Sequence, residues 1–200
     1  MKLLTTLALS LSLLVGVAAA QTPPDVLVKE TTDRVLNELE ERKAQLKQNP
    51  GTAGELVREI VLPHFDFALM SRLVLARNWR TATPEQQERF TEQFQELLIR
   101  TYGTSLAAYS GQKVNYLPMQ PSPDENRAVV RTEIRQSDGP AIPLHYMLRQ
   151  GRDGWKVFDV VIDGVSLVQN YRTSFASEIQ QRGLDGLIER LVERNRNKQS

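Results

Sequence analysis

Cysteine is absent from the 200 residues, which excludes disulfides, thiol nucleophiles, thiolate metal sites and any lipid carried on a thiol. The fold must therefore rest on packing. Histidine occurs only at His64 and His145, far apart in sequence, which leaves little for a metal centre or a histidine acid–base pair. Neither charge is in excess. Apart from Lys2 in the first twenty residues, basic and acidic side chains number 24 each. They alternate along helices, as in ERFTEQFQELLIR, so the chain lacks the basic surplus with which nucleic-acid binders neutralise phosphates. Catalytic signatures are missing too: there is no G-x-S-x-G, H-E-x-x-H, P-loop or G-x-G-x-x-G.

Residues 1–20 read as an export signal. Lys2 gives a positive start, Leu3 to Val17 is apolar apart from small hydroxyls and one glycine, and Ala18-Ala19-Ala20 offers small residues before Gln21. The run falls short of the ~20 apolar residues a bilayer span needs, so cleavage after Ala20 is expected rather than an anchor. No linker, repeat or low-complexity segment divides the remainder, which predicts one domain over 21–200.

Pro23-Pro24-Asp25 opens a predicted amphipathic surface helix with Val28, Thr32, Val35, Leu36, Leu39 and Leu46 on one stripe, stopped at Asn49-Pro50-Gly51. Thr52 and Glu55 predict a capping box for a short helix that Pro63 breaks. From Phe65 to Trp79, apolar residues cover more than half of a helix surface, predicting a helix buried on several sides or lining something apolar. Thr83-Pro84-Glu85-Gln86 supplies cap, first-turn proline and capping box for a long helix carrying Phe90, Phe94, Leu97, Leu98, Tyr102 and Leu106. After Gly111 the period becomes two. Four strands, around 114–116, 128–135, 142–149 and 155–162, are separated by short turn-rich connections that favour an antiparallel meander. Pro143 hints at an edge or bulge.

The strand from Trp155 to Ile162 is apolar on both sides: Trp155, Val157 and Val161 one way, Phe158, Val160 and Ile162 the other, the pattern of an interior strand. Asp163-Gly164 predicts a turn, with Asp163 capping a helix that carries Val165, Val168, Tyr171, Phe175 and Ile179. Gly183 predicts its stop, before a last helix with Leu184, Leu187, Ile188 and Leu191. Helices, one sheet, then helices make a single α+β domain: a four-stranded antiparallel sheet packed against several helices.

Asp159 stands mid-strand among apolar neighbours, where a carboxylate needs a partner or a raised pKa. It reads either as a structural pair with Tyr171 or Arg172 that fastens helix to sheet, or as the general base of an enzyme on a small apolar substrate, with Tyr116 or Tyr146 as hydrogen-bond donor. The structural pair is the simpler reading. His64 and Asp66 are too few for a metal, and Asp66 reads as a helix cap. His145 reads as a polar residue on the outer side of its strand, and Asp138, Asp153 and Asp163, each before glycine, read as turn formers. An excess of apolar positions remains, which composition alone allows to be a filled core or a cavity.

Three segments, NWRTATPEQQERFTEQFQELLIRTYGTSL, DGWKVFDVVIDGVSLVQNYRTSFASEI and GLDGLIERL, resemble the periplasmic phospholipid-binding MlaC family of the maintenance-of-lipid-asymmetry pathway, also called the toluene-tolerance Ttg2 family. The likeness covers nearly all of the chain after the signal, and DGVSLVQNYRTSF is its most specific part. The resemblance implies a non-enzymatic, monomeric carrier without metal or cofactor, which holds a phospholipid by its acyl chains in an apolar pocket between sheet and helices. It further implies a periplasmic shuttle between an outer-membrane lipoprotein–porin complex and an inner-membrane ABC transporter complex. Face assignment then gives the pocket candidates Leu73, Leu98, Tyr102, Val130, Leu144, Tyr146, Leu148, Phe158, Val160, Tyr171 and Phe175. Arg80 and Arg172 are candidates for headgroup or partner contacts, with exposed salt bridges as the simpler role.

Overall fold

A computed structural model describes residues 21–49, 51–107, 109–135 and 139–197. The expected export signal at 1–20 and the readings placed on Pro50 and Asp138 lie outside the described residues. The chain begins with α1 (Pro24–Glu41), which has proline in its first turn where no backbone donor is needed, and continues after a break at Arg42 as α2 (Lys43–Gln48). The helix α3 (Thr52–Leu56) follows. Its expected capping box does not form, because Thr52 is already the first helical residue, 1% exposed, and Gly51 precedes it with no side chain to cap. One π-helical turn, Val57–Val61, and one 3₁₀ turn, Leu62–His64, then carry the chain past Pro63.

The apolar stretch expected as one helix is two: α4 (Phe67–Leu75) and α5 (Arg77–Thr81), separated at Ala76. Ala76 has φ 50° and ψ −115°, a conformation in which its Cβ is crowded and glycine is at ease. Ala76→Gly is therefore expected to raise stability by about 0.5–1 kcal/mol, read as a higher urea midpoint, whereas the same change inside a helix lowers stability by about as much. A lowered midpoint would show that the site is not strained. The helix α6 (Pro84–Ala107) starts as its sequence dictates: the Gln86 N–H donates to Thr83 Oγ1 at 3.2 Å, and the Thr83 N–H donates to Gln86 Oε1 at 3.0 Å.

The sheet has five strands, not four: β1 (Lys113–Tyr116), β2 (Arg127–Arg135), β3 (Ile142–Gly151), β4 (Gly154–Ile162) and the two-residue β5 (Val165–Ser166), antiparallel in the order β1-β2-β3-β4-β5. Asp163 and Gly164, both with positive φ (50° and 79°), make the tight β4–β5 turn. The last helix, α7 (Leu167–Asn197), is two helices joined at Gly183, whose φ of 74° is the stop its position predicts.

Two register details correct the expected faces. Met147 pairs with Asp159, whereas Leu148 pairs with Val157, so Phe158 is an extra residue in β4. Val157, Val160 and Ile162 consequently share an apolar layer with Trp155, Leu148, Tyr146 and Leu144, while Phe158 packs in the other core. Pro143 lies in the third of the five strands rather than on an edge. Its carbonyl accepts from the Asp163 N–H at 2.9 Å, so its missing donor faces the turn after β4, where the ladder has ended.

Three apolar clusters result. One joins α4, α6 and α7, where Phe94 meets Tyr171 with ring centroids 5.3 Å apart and Phe90 meets Phe175 edge-on at 5.8 Å. A second lies between α1 and the covered sheet face, and a third gathers Val35 and Leu39 of α1 with Leu46, Ala53, Leu56 and Ile60. Phe65 and Tyr102 touch both of the first two clusters. Asp66 ties α4 to the sheet: its carboxylate accepts from the Leu69 N–H at 2.9 Å and from Arg149 Nε at 2.7 Å, and its own N–H donates to the Val157 carbonyl at 2.8 Å. This junction covers the side of β4 that β3 leaves open. Among the described residues no helix is long and apolar enough to cross a membrane.

Candidate functional site

A cavity of about 530 Å³ lies between α1, the turns at 57–64, the end of α6 and the covered faces of β1, β2, β3 and β4, the last through Val157. That is the size of a site that takes an organic ligand rather than a packing defect. Its wall is mostly aliphatic. Leu27, Val28, Val35 and Leu36 come from α1, Leu106 from α6, and Val114, Ile134, Ile142 and Leu144 from the strands. The strand residues meet there because Val114 pairs with Ile134, Ile134 with Ile142, and Thr132 with Leu144, which puts them side by side on one face.

Of the eleven residues expected from sequence, Leu144 and Tyr146 line the cavity. Val130, Leu148 and Val160 lie in the same apolar layer, buried to 7% exposure or less, and do not reach the space. Tyr102 borders that layer and the helical core together. Leu73, Leu98, Phe158, Tyr171 and Phe175 belong to the α4–α6–α7 core and fill it instead of lining a space. Arg80 and Arg172 are exposed and stand apart from the cavity, and neither makes a salt bridge among the described residues. The contributions of α1, of Ser105, Tyr109 and Gln112, and of β1 were missed. The amphipathic stripe of α1 was the available signal, since Val28, Thr32, Val35 and Leu36 form the wall rather than the inner face of a plain surface helix.

The His64 and Tyr146 side chains at the wall are uncharged. Burial lowers the pKa of His64 below its ordinary value, with the Lys156 and Arg34 cations acting in the same direction, so it is a neutral imidazole at neutral pH. Burial pushes Tyr146 up to about 12 and raises Tyr116, so both phenols keep their protons. Tyr102 is also raised to about 12, by burial first and then by Tyr171. No group of three or more potential metal ligands occurs among the described residues.

Asp159 is not at the cavity. Its Oδ1 accepts from the backbone N–H groups of Val160 (2.8 Å) and Val168 (3.0 Å), and its Oδ2 accepts from the Ser166 hydroxyl at 2.5 Å. Ser166 Oγ in turn accepts from the Gln169 N–H at 3.0 Å. Asp159 and Ser166 therefore cap α7, the task expected of Asp163, and the partners expected for Asp159, Tyr171 and Arg172, are replaced by this pair of caps. Fastening helix to sheet is nonetheless what the carboxylate does. His145 pairs across to Arg131 and Val161, on the face away from the cavity. A second, shallower hollow at Asp66, Arg149, Arg152, Asp153 and Lys156 is rimmed by charge.

Comparison with known proteins places this geometry in context. A family model described as MlaC protein matches residues 29–193. The chain is 34% identical over 168 residues to the toluene tolerance protein Ttg2D of Pseudomonas putida, covering 84% of this chain and 77% of that protein. It is 29% identical over 189 residues to the intermembrane phospholipid transport system binding protein MlaC of Haemophilus influenzae, covering 93% and 88% of the two chains. Its fold matches the solved structure of a phospholipid-binding protein from Ralstonia solanacearum in complex with a phospholipid. The TM-score is 0.83 and the identity 33%, over 90% of this chain and 100% of that one.

Proposed function

This chain belongs to the MlaC family, and from that premise we propose that it is a phospholipid carrier without catalytic activity. It works in the periplasm after removal of residues 1–20, as a monomer, and passes lipid between an outer-membrane lipoprotein–porin complex and an inner-membrane ABC transporter complex. The observation that carries the reading is the cavity of about 530 Å³ whose wall is built from the aliphatic side chains of α1 and four strands. The names of the relatives, a phospholipid transport binding protein and a phospholipid complex, support the choice of ligand. Energetics supply the need for a carrier: at ~0.8 kcal/mol per methylene, two acyl chains of ordinary length expose more than ~20 kcal/mol of apolar surface to water. Leu144, Tyr146 and the α1 wall would shield the hydrocarbon, and Val130, Leu148 and Val160 would support that wall from behind.

Protein purified gently from cells is expected to contain phospholipid, detected by native mass spectrometry and by analysis of the extracted lipid. Uniformly lipid-free protein from such a preparation would count against the carrier.

A further inference from the structure

Within its aliphatic wall the cavity holds a small group of hydroxyls. Thr31, Thr32 and Tyr146 line it, and Tyr116 packs in the adjoining layer. The Thr31 hydroxyl is occupied, donating to the Leu27 carbonyl at 2.7 Å. Thr32 instead lies within reach of both phenols. The Tyr116 hydroxyl oxygen is fully enclosed and, unlike those of Thr32 and Tyr146, is not part of the cavity wall. Strand pairing explains the convergence: Tyr116 faces Thr132 and Tyr146 faces Val130, two residues along β2, so both rings stand on the covered face. The helix α1 lays Thr32 across them.

A hydroxyl that faces hydrocarbon gains no hydrogen bond from it, whereas a carbonyl placed there can accept one. On the carrier reading, on which this inference rests, the carbonyls next to hydrocarbon are the esters that join acyl chains to glycerol. We propose that Thr32 and Tyr146 hold an ester carbonyl of a diacyl glycerolipid, so that the cavity selects ester-linked lipids and fixes how deeply the chains enter. Lys29 extends the sequence of groups outward. Its ammonium, exposed and shared with Asp33, stands 5.7 Å from the Tyr116 ring centroid. Hydroxyls followed by a cation repeat the order of ester followed by phosphate along the lipid. The cleft between α1 and β1 is thus the mouth.

The test compares two probes on lipid-stripped protein: dioleoyl phosphatidylethanolamine and the diether with the same chains and headgroup. The diester is expected to bind about 5–10-fold tighter, the worth of one net hydrogen bond. In the Thr32→Val/Tyr146→Phe double variant, which keeps both side-chain shapes and loses both donors, the two lipids are expected to bind within about twofold. Wild-type protein that binds the two lipids alike overturns the ester contact while leaving the carrier intact. A double variant that retains the preference overturns the assignment to these two hydroxyls. Wild-type protein that binds neither lipid overturns the carrier reading and this proposal with it.

Discussion

Leu144→Asp is expected to lower lipid affinity by at least ~100-fold while the protein stays folded, because an ionised carboxylate placed against acyl chains must lose its water without gaining a partner. Leu144 lines the cavity and is only partly buried, so in the lipid-free protein the new carboxylate can reach solvent through the empty space. Val160→Asp, the same change 7% exposed in the layer behind the wall, has no such outlet and is expected to unfold the domain. Native mass spectrometry reads the lipid, and circular dichroism reads the fold. Folded Leu144→Asp protein that still carries lipid would show that the chains lie elsewhere.

The second large effect is on stability. Asp159→Ala removes an acceptor shared by two backbone N–H groups and the Ser166 hydroxyl, and it leaves the start of α7 half-capped beside β4. Charge-assisted contacts and caps of this kind imply a loss of about 2–4 kcal/mol, or roughly 6–12 °C in Tm for a chain of this size. Lipid binding measured below the new Tm is expected to persist, because the carboxylate is outside the cavity. Asp159→Ala that melts like the wild type would remove the cap from its place in the fold. Asp159→Ala that is folded but no longer holds lipid would place the carboxylate in the function after all.

Features fixed by neighbouring residues were legible in the sequence. The Thr83–Gln86 box, the Asp66 cap, the Asp163-Gly164 turn and the stop at Gly183 each follow from the chemistry of a few adjacent groups. The signals that failed were overruled at long range. Thr52 carries a local cap signal, but it is buried within the first turn of its helix instead of preceding it. Two residues of β5 are too short to show a period, and the extra residue at Phe158 exists only in the register between β3 and β4. The bulge moved Phe158 out of the expected cavity face and set Val157 toward it. The cavity itself was the least legible part. A stripe such as that of α1 states that a face is covered, and only assembly determines whether the covering leaves space.

The way the chain ends its own sheet has a further consequence when two copies meet. The Phe65–Asp66 segment and the two-residue β5 pair with the free side of β4 at Val157 and at Val161–Ile162, which breaks up that edge as a template for a neighbouring copy. The opposite edge is β1, four residues long and carrying an exposed lysine at Lys113. A charged edge so short is a poor template for strand-by-strand polymerisation, and resistance to fibrillar aggregation therefore follows from the topology, without any disulfide to enforce it.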